Sequence, residues 1–193
     1  LGPDYFLPLV RQYGLMGGVT ELVVSRALDD AVIWKRNGVD VAVAVNLSAP
    51  AVSDLLLPAR MNAELSSRGL DPTMLTVEIT EGLLLENIER ASSVLDRLRA
   101  NGIRIALDDF GSGYSALWYL RDLSIDEVKL DRKFVTPLLT DPRAAVIVRA
   151  VIDLVHDLGG TVVAEGVEDM KTAAKLRDYG CEVAQGFYFS TPL

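Results

Sequence analysis

The amino-acid sequence predicts an α/β protein built on a parallel sheet, and two observations support this. Five times, a helix-like pattern ends at a glycine, the usual left-handed helix cap, and an apolar strand-like run follows. These runs are nearly continuous in Val, Ile and Leu, which is typical of parallel strands covered on their outer side. The five segments are "KRNGVDVAVAVN", "SRGLDPTMLTVEIT", "RANGIRIALDD", "DLGGTVVAEG" and "RDYGCEVAQG", and a sixth strand without the glycine is "EVKLD" at 127–131.

The helical segments of this alternation carry signals of their own. Asp141 followed by Pro142 predicts a helix start, because aspartate caps the first turn and proline fits the first helical position. Residues 88–98 place five apolar side chains on one helical face. They are Ile88, Ala91, Val94, Leu95 and Leu98.

A polar or charged side chain stands at or near the carboxyl end of every predicted strand. These side chains belong to Asn46, Glu78, the pair Asp108 and Asp109, Lys129, Glu165 and Gln185. In a (β/α)8 barrel of the TIM type the strand ends meet at one face, where active sites are built. An open doubly wound sheet is the alternative, but no glycine-rich dinucleotide fingerprint follows the first strand. The sequence therefore favours a barrel truncated to six visible strands, and we expect the other two to precede Leu1.

Composition excludes several classes of function. The 193 residues are 50% hydrophobic and carry a formal net charge of −8, which argues against a large nucleic-acid or anionic-membrane surface. No apolar run approaches a membrane span and no signal-peptide pattern opens the chain, so we expect a cytoplasmic protein unless a further segment tethers the parent to a membrane. The single cysteine, Cys181, excludes an internal disulfide and is expected to be a small buried hydrophobe.

The residues at the strand ends suit a hard divalent cation. Asn46, Glu78 and the two adjacent aspartates offer only oxygen ligands, which favour Mg²⁺ or Mn²⁺ over zinc or copper. Adjacent aspartates can lie between two such ions, an arrangement that activates water and stabilises a leaving oxygen in phosphodiester hydrolysis. In that interpretation Lys129 orients the water or neutralises charge, and Glu165 binds the second ion or accepts a proton.

Other interpretations of these residues stay open. A single acidic residue at a strand end is more often a solvated loop residue or a helix cap than a ligand. Lys129 could be a structural counter-ion to Asp131, and the "GSG" of 111–113 fits a tight turn as well as an active-site loop. His156 is expected to be an ordinary residue near the C-terminal end of a helix, since the sequence holds no second histidine for a metal pair.

Six motifs, in their order and spacing, resemble the motif series of EAL-domain cyclic di-GMP phosphodiesterases. They are "VNLSA", "VEITE", "ALDDFGSGYSAL", "VKLDRKFV", "VVAEGVE" and "QGFYFSTP". The resemblance implies a TIM-type barrel whose first strand runs antiparallel, a site for two ions of Mg²⁺ or Mn²⁺, and hydrolysis of cyclic di-GMP to linear pGpG in bacterial signalling.

The resemblance also implies the ligands of both metal ions. The positions that match ligands of the first ion are Asn46, Glu78 and Asp108. The positions that match ligands of the second ion are Asp108, Asp109 and Glu165.

Further roles follow from the same resemblance. Lys129 matches a lysine that contacts the attacking water, and Glu81 matches a glutamate that steadies the loop between Asp109 and Ser115. The positions that match residues near the substrate or the metal ions are Asp131, Glu168 and Gln185.

One motif of the family does not occur in residues 1–193. This is the signature glutamate-alanine-leucine with an arginine two residues further, which the resemblance places just before "LGPDYFLPLV". We therefore expect residues 1–193 to form one partial EAL domain, without the first two strands and the C-terminal helix. We expect this piece to be inactive alone and its parent to be active.

The expected partner is cyclic di-GMP, together with sensory or cyclase domains of the parent chain, and a homodimer stays open. A non-catalytic cyclic di-GMP receptor or protein-interaction module is the alternative function. Degenerate modules usually lose ligand residues, so the enzyme is favoured by the presence of Asn46, Glu78, Asp108, Asp109, Lys129 and Glu165.

Overall fold

The computed structural model describes residues 2–84, 88–111 and 120–191. The chain divides into two compact units, residues 1–105 and 106–193. Within the described ranges, no helix combines the length and the apolar composition that crossing a bilayer requires.

Helices and strands alternate in the first unit. Its elements are α1 (Pro3–Gln12), α2 (Met16–Arg36), β1 (Val43–Asn46), α3 (Ala49–Val52), α4 (Leu57–Ser67), β2 (Leu75–Thr80), α5 (Glu81–Leu84), α6 (Ile88–Ala100) and the first residues of β3 (Arg104–Phe110). Strands β1 and β2 pair in parallel, with Asn46 opposite Glu78. Leu75, Val77 and Ile79 are fully inaccessible, so β2 lies in the core of this unit.

The second unit continues the alternation. Its elements are the remainder of β3, β4 (Glu127–Leu130), α7 (Arg132–Val135), α8 (Pro142–Asp157), β5 (Thr161–Ala164), α9 (Met170–Asp178) and β6 (Val183–Ala184). The pairs β3–β4, β4–β5 and β5–β6 all run parallel. Leu130, Val162 and Ala164 are fully inaccessible, as expected for parallel strands with both faces covered.

The six strands belong to one sheet whose order follows the chain, from β1 to β6. This confirms the α/β class predicted from the alternation. Two strands are shorter than the apolar runs suggest. β1 begins at Val43, and Val41 before it is 45% exposed. β6 holds only the residues that pair with Val163 and Ala164, because the main chain after it bonds to Val167 instead.

The predicted helix signals are also confirmed. Helix α6 buries Ala91, Val94, Leu95 and Leu98, four of the five residues assigned to its apolar face. The five glycines that end the predicted helical segments take φ values between 63° and 89°, the left-handed conformation of a helix cap. Local sequence therefore fixes where these helices stop.

His156, for which the sequence predicts no catalytic role, forms an ion pair near the amino ends of β5 and β6. The Nε2 atom of His156 lies 2.7 Å from Oε1 of Glu182, whose Oε2 accepts a hydrogen bond from the amide of Val162. His156 thus holds α8 to the start of β6, a contact that the sequence does not reveal.

Burial raises the pKa of Cys181 to about 11, so its thiol stays protonated near neutral pH and is a poor nucleophile.

The predicted N-cap of α8 can be tested by substitution of Asp141. Asp141 accepts a hydrogen bond from the amide of Arg143 at 2.8 Å, and Pro142 occupies the first turn. We expect Asp141→Ala to lower the free energy of unfolding by about 0.5–2 kcal/mol, the usual effect of losing an N-cap. The control is Asp153→Ala on the exposed side of the same helix, and urea unfolding of both variants makes the comparison. Equal stability of the two variants would contradict the assignment.

Candidate metal centre

In the first unit, the carboxyl ends of β1 and β2 bring together two predicted ligands. The side-chain amide of Asn46 donates a hydrogen bond to Oε2 of Glu78 at 3.0 Å. The parallel register places these residues directly opposite each other, and Glu78 is only 8% exposed. The hydrogen bond uses the amide nitrogen of Asn46, so its carbonyl oxygen is the atom with which this residue would bind a cation.

Glu81 follows the same strand end. It begins α5 immediately after β2, and it is 5% exposed. Residues 112–119 lie outside the described residues, and with them most of the loop that Glu81 is expected to steady. The role of Glu81, and the choice between a tight turn and an active-site loop for 111–113, therefore stay predictions.

In the second unit, three predicted ligands converge. Carboxylate oxygens of Asp108, Asp109 and Glu165 all lie within 4.8 Å of one another. The Nζ atom of Lys129 lies 3.0 Å from Oδ1 of Asp108 and 2.8 Å from Oε1 of Glu165. The Lys129 side chain is 8% exposed, so an almost fully buried ammonium group joins β3 to the residue that follows β5. We call these four residues the carboxylate cluster.

A β-bulge explains how two consecutive aspartates can serve one site. In a regular strand, successive side chains point to opposite faces of the sheet. Here the register with β4 shifts between Leu107 and Phe110, so Asp108 and Asp109 together stand opposite one residue, Lys129. Bulges of this kind redirect side chains and are common next to active sites.

The conformation of Asp109 belongs to this bulge. Its φ is 55°, the one positive φ among the non-glycine residues that the structure describes. Aspartate tolerates the left-handed region better than most residues, and its amide donates a hydrogen bond to Oδ1 of Asp108 at 3.0 Å. Such strained backbone is concentrated at functional sites. Nothing in the local sequence pattern distinguishes this bulge from an ordinary strand end.

The electrostatic environment disfavours full ionisation of the carboxylate cluster without a further cation. Loss of hydration, followed by the charges of Asp108 and Asp131, raises the pKa of Asp109 above its ordinary value. Burial also raises the pKa of Glu165, and the attraction of Lys129 does not cancel this effect. Both shifts have the direction expected where negative charge is in excess.

The charge balance of the carboxylate cluster fits a divalent cation. When ionised, its three carboxylates and one ammonium leave two negative charges. All the donor atoms are carboxylate oxygens, the ligands that Mg²⁺ and Mn²⁺ prefer. The residues present therefore fit the metal that the family resemblance implies, although the donor set does not choose between these two ions.

The three predicted substrate-side residues all belong to the second unit. Asp131 is 7% exposed and caps α7 by accepting a hydrogen bond from the amide of Lys133 at 2.7 Å. Glu168 is exposed in the segment between β5 and α9. Gln185 directly follows β6, and its main chain bonds to Ala164 and Val167, on either side of Glu165. Their roles toward a substrate stay predictions.

Comparison with known proteins identifies the family. The family model of the EAL domain matches residues 1–192. This chain belongs to the EAL domain family, and its fold class is the predicted barrel of the EAL kind.

Relatives of known sequence match over almost the whole chain. The signaling protein YkoW of Bacillus subtilis (strain 168) is 36% identical over 191 residues, which cover 99% of this chain and 24% of YkoW. The cyclic di-GMP phosphodiesterase NbdA of Pseudomonas aeruginosa is 38% identical over 194 residues, which cover 100% of this chain and 25% of NbdA. The chain thus spans about a quarter of the length of these curated relatives.

The fold is shared with solved structures. The PaMucR phosphodiesterase in complex with c-di-GMP matches with a TM-score of 0.91 and 36% sequence identity, over 100% of this chain and 78% of that chain. The EAL domain of Mycobacterium smegmatis DcpA matches with a TM-score of 0.86 and 35% identity, over 93% of this chain and 81% of that chain.

The excess negative charge predicts how stability depends on pH. A carboxyl group with a raised pKa binds its proton more tightly in the folded state, so its stabilising effect is present at low pH and is lost as the pH rises through the folded-state pKa. We expect Asp109→Asn to raise the thermal unfolding midpoint of the metal-free protein at pH 7. This advantage should shrink as the pH falls towards about 4, the ordinary pKa of aspartate.

The pH dependence separates charge relief from a simple backbone preference of asparagine, which would act equally at every pH. Thermal unfolding in EDTA between pH 4 and pH 8 provides the measurement. Asp30→Asn, on an exposed face of α2, is the control and should change stability by less than about 0.5 kcal/mol. A gain for Asp109→Asn that does not vary with pH would contradict the electrostatic explanation.

Proposed function

We propose that this chain is the catalytic domain of a metal-dependent phosphodiesterase that hydrolyses cyclic di-GMP to linear pGpG. The observation that carries the proposal is the convergence of Asp108, Asp109 and Glu165 around the buried Lys129. The likeness to NbdA and to the PaMucR phosphodiesterase over the whole chain supports cyclic di-GMP as the substrate.

The proposed metal ions are Mg²⁺ or Mn²⁺. Asp108, Asp109 and Glu165 would hold one ion, and Asn46 with Glu78 would ligate the other. When bound, such ions supply Lewis-acid stabilisation of phosphate oxygens and lower the pKa of a water molecule.

The residues of the chain have separate tasks in this proposal. Lys129 keeps a positive charge beside the scissile phosphate and donates a hydrogen bond that orients the attacking water. Glu165 is the alternative proton acceptor where it does not ligate the ion, because a carboxylate bound to a divalent cation is a weak base. Gln185 offers both donors and an acceptor to the edge of a guanine base.

The proposed reaction balances with water as its one co-reactant. The water oxygen bonds to phosphorus while the bond from phosphorus to the 3′ oxygen of the neighbouring ribose breaks. The water loses a proton to the carboxylate base, and the leaving 3′ oxygen gains one. One of the two phosphodiester bonds opens, which leaves a linear dinucleotide with a 5′ phosphate.

The proposal also includes the domains that accompany this one in its parent chain and the cellular location of the protein. Because the curated relatives are about four times longer than the matched region, we infer that sensory or cyclase domains accompany this one in its parent chain. A cytoplasmic location is consistent with cyclic di-GMP as an intracellular messenger. Formation of a homodimer stays a prediction.

Substitution of the paired aspartates tests the proposed activity. We expect Asp108→Asn and Asp109→Asn to lower the rate of cyclic di-GMP hydrolysis by about a hundredfold or more in the full-length parent protein, which is called the full chain below. Metal ions contribute several kcal/mol to catalysis of this kind, and each 1.4 kcal/mol corresponds to a factor of ten. Chromatographic measurement of pGpG release with Mg²⁺ or Mn²⁺ gives the rates.

Asp153→Asn, an equivalent change on the exposed side of α8, should keep the parental rate and is the matched control. Hydrolysis at the parental rate by either active-site variant would refute the metal-dependent mechanism. A folded parent that binds cyclic di-GMP without releasing pGpG would support the receptor function instead.

A second test concerns the family signature. We propose that turnover needs the signature glutamate as a metal ligand and the signature arginine as a phosphate contact, neither of which lies in residues 1–193. We expect residues 1–193 alone to bind metal weakly and to hydrolyse cyclic di-GMP far more slowly than the full chain, since affinity for hard cations rises with the number of charged ligands. Glutamate-to-glutamine substitution in the signature separates loss of the ligand from loss of fold. Full turnover by residues 1–193 would show that the signature is dispensable.

A further inference from the structure

The helical turn α7 touches the main chain beside two of the acidic strand ends. A Cβ atom placed on Gly111 would lie 2.5 Å from Cε2 and 2.9 Å from Cζ of Phe134. A Cβ atom placed on Gly166 would lie 2.5 Å from Cβ of Arg132. Two residues of α7 therefore lie in close contact with two glycines that are far apart in the sequence.

These glycines adjoin the ligand positions. Gly111 comes two residues after Asp109, and Gly166 directly follows Glu165. Their φ values are 90° and 69°, a region that glycine enters without strain and that other residues avoid. Glycine is thus required at both positions for the backbone conformation and for the close approach of α7.

The turn α7 is also fixed relative to Lys129. Asp131, two residues after Lys129, caps the turn through the amide of Lys133 at 2.7 Å. The main-chain oxygen of Asp131 accepts a further hydrogen bond from the amide of Phe134 at 2.9 Å. These bonds hold α7 at the end of β4, so it cannot shift freely relative to the ammonium group at the centre of the cluster.

We propose that α7 positions the carboxylate cluster, with Phe134 and Arg132 as positioning residues. Phe134 supports the segment that carries Asp109, and the backbone of Arg132 with its Cβ supports the segment that carries Glu165. The turn thereby sets the separation of these two carboxylates. The inference rests on the proposed function in one respect, because it treats the cluster as a metal site.

Mn²⁺ binding tests this inference independently of hydrolysis. We expect Phe134→Leu and Phe134→Ala in the full chain to weaken Mn²⁺ binding by about 10–100-fold, the usual effect of removing a group that supports metal ligands. Titration of the metal-stripped protein, with free Mn²⁺ followed by electron paramagnetic resonance, gives the dissociation constant. Val94→Ala, a buried truncation on α6 of the first unit, lowers stability and should leave the dissociation constant unchanged.

Arg132 provides a matched pair of variants. Arg132→Ala keeps the Cβ atom that contacts Gly166 and should bind Mn²⁺ as the parent does. Arg132→Gly removes that atom and should weaken binding. If the guanidinium group of Arg132 were the part that supports the site, both variants would weaken Mn²⁺ binding to the same extent.

A double substitution tests the contact itself. Gly111→Ala should weaken Mn²⁺ binding, because the new Cβ atom meets the ring of Phe134. In combination with Phe134→Ala the collision is relieved, so the double variant should bind better than the product of the two single effects predicts. Multiplication of the two effects would show that the residues act independently and would count against the inference.

The outcomes separate this inference from the proposed function. Parental Mn²⁺ affinity in both Phe134 variants, with stability reduced as in Val94→Ala, would overturn the positioning role and leave the phosphodiesterase proposal intact. A parent that binds Mn²⁺ but does not hydrolyse cyclic di-GMP would overturn the proposed function, while weaker binding by the Phe134 variants would still support the positioning role. A parent that does not bind Mn²⁺ would overturn both.

Discussion

One buried ammonium group holds the candidate site together. Lys129 lies on β4 and contacts Asp108 on β3 and Glu165 after β5, so its two ion pairs tie the ends of three neighbouring strands. Removing one partner of a buried ion pair leaves an uncompensated charge, which is strongly destabilising. The cluster therefore depends on this lysine before any metal is considered. The sequence suggested Asp131 as its counter-ion, whereas the structure pairs Lys129 with Asp108 and Glu165, and this pairing is compatible with the proposed role toward water.

The same lysine does not complete the charge balance. Three carboxylates stand around one ammonium, and the raised pKa values of Asp109 and Glu165 reflect lost hydration first and the repulsion of neighbouring carboxylates second. A site with this imbalance is a cost to the metal-free fold and an attraction for a divalent cation. The two properties have one electrostatic cause. Substitutions in the cluster that stabilise the metal-free protein are therefore expected to weaken its function.

Backbone geometry then decides which atoms can reach the cation. The bulge in β3 lets Asp108 and Asp109 serve one site, although adjacent residues of a regular strand would diverge. The glycines at 111 and 166 allow α7 to approach both acidic segments closely. Neither device adds a ligand, but together they determine the distances between the ligands that the sequence provides.

The sequence by itself determined the α/β class, the six strands, the helix ends and the polar residues at the strand ends. These follow from local rules, since glycine caps, the Asp141 N-cap and continuous apolar runs act within a few residues. The family resemblance added the expected metal, substrate and residue roles. Tertiary structure decided the β-bulge, the left-handed Asp109, the contacts of α7 and the pairing of His156 with Glu182. Each of these depends on how strands register and which distant segments meet, and no local pattern encodes such long-range packing.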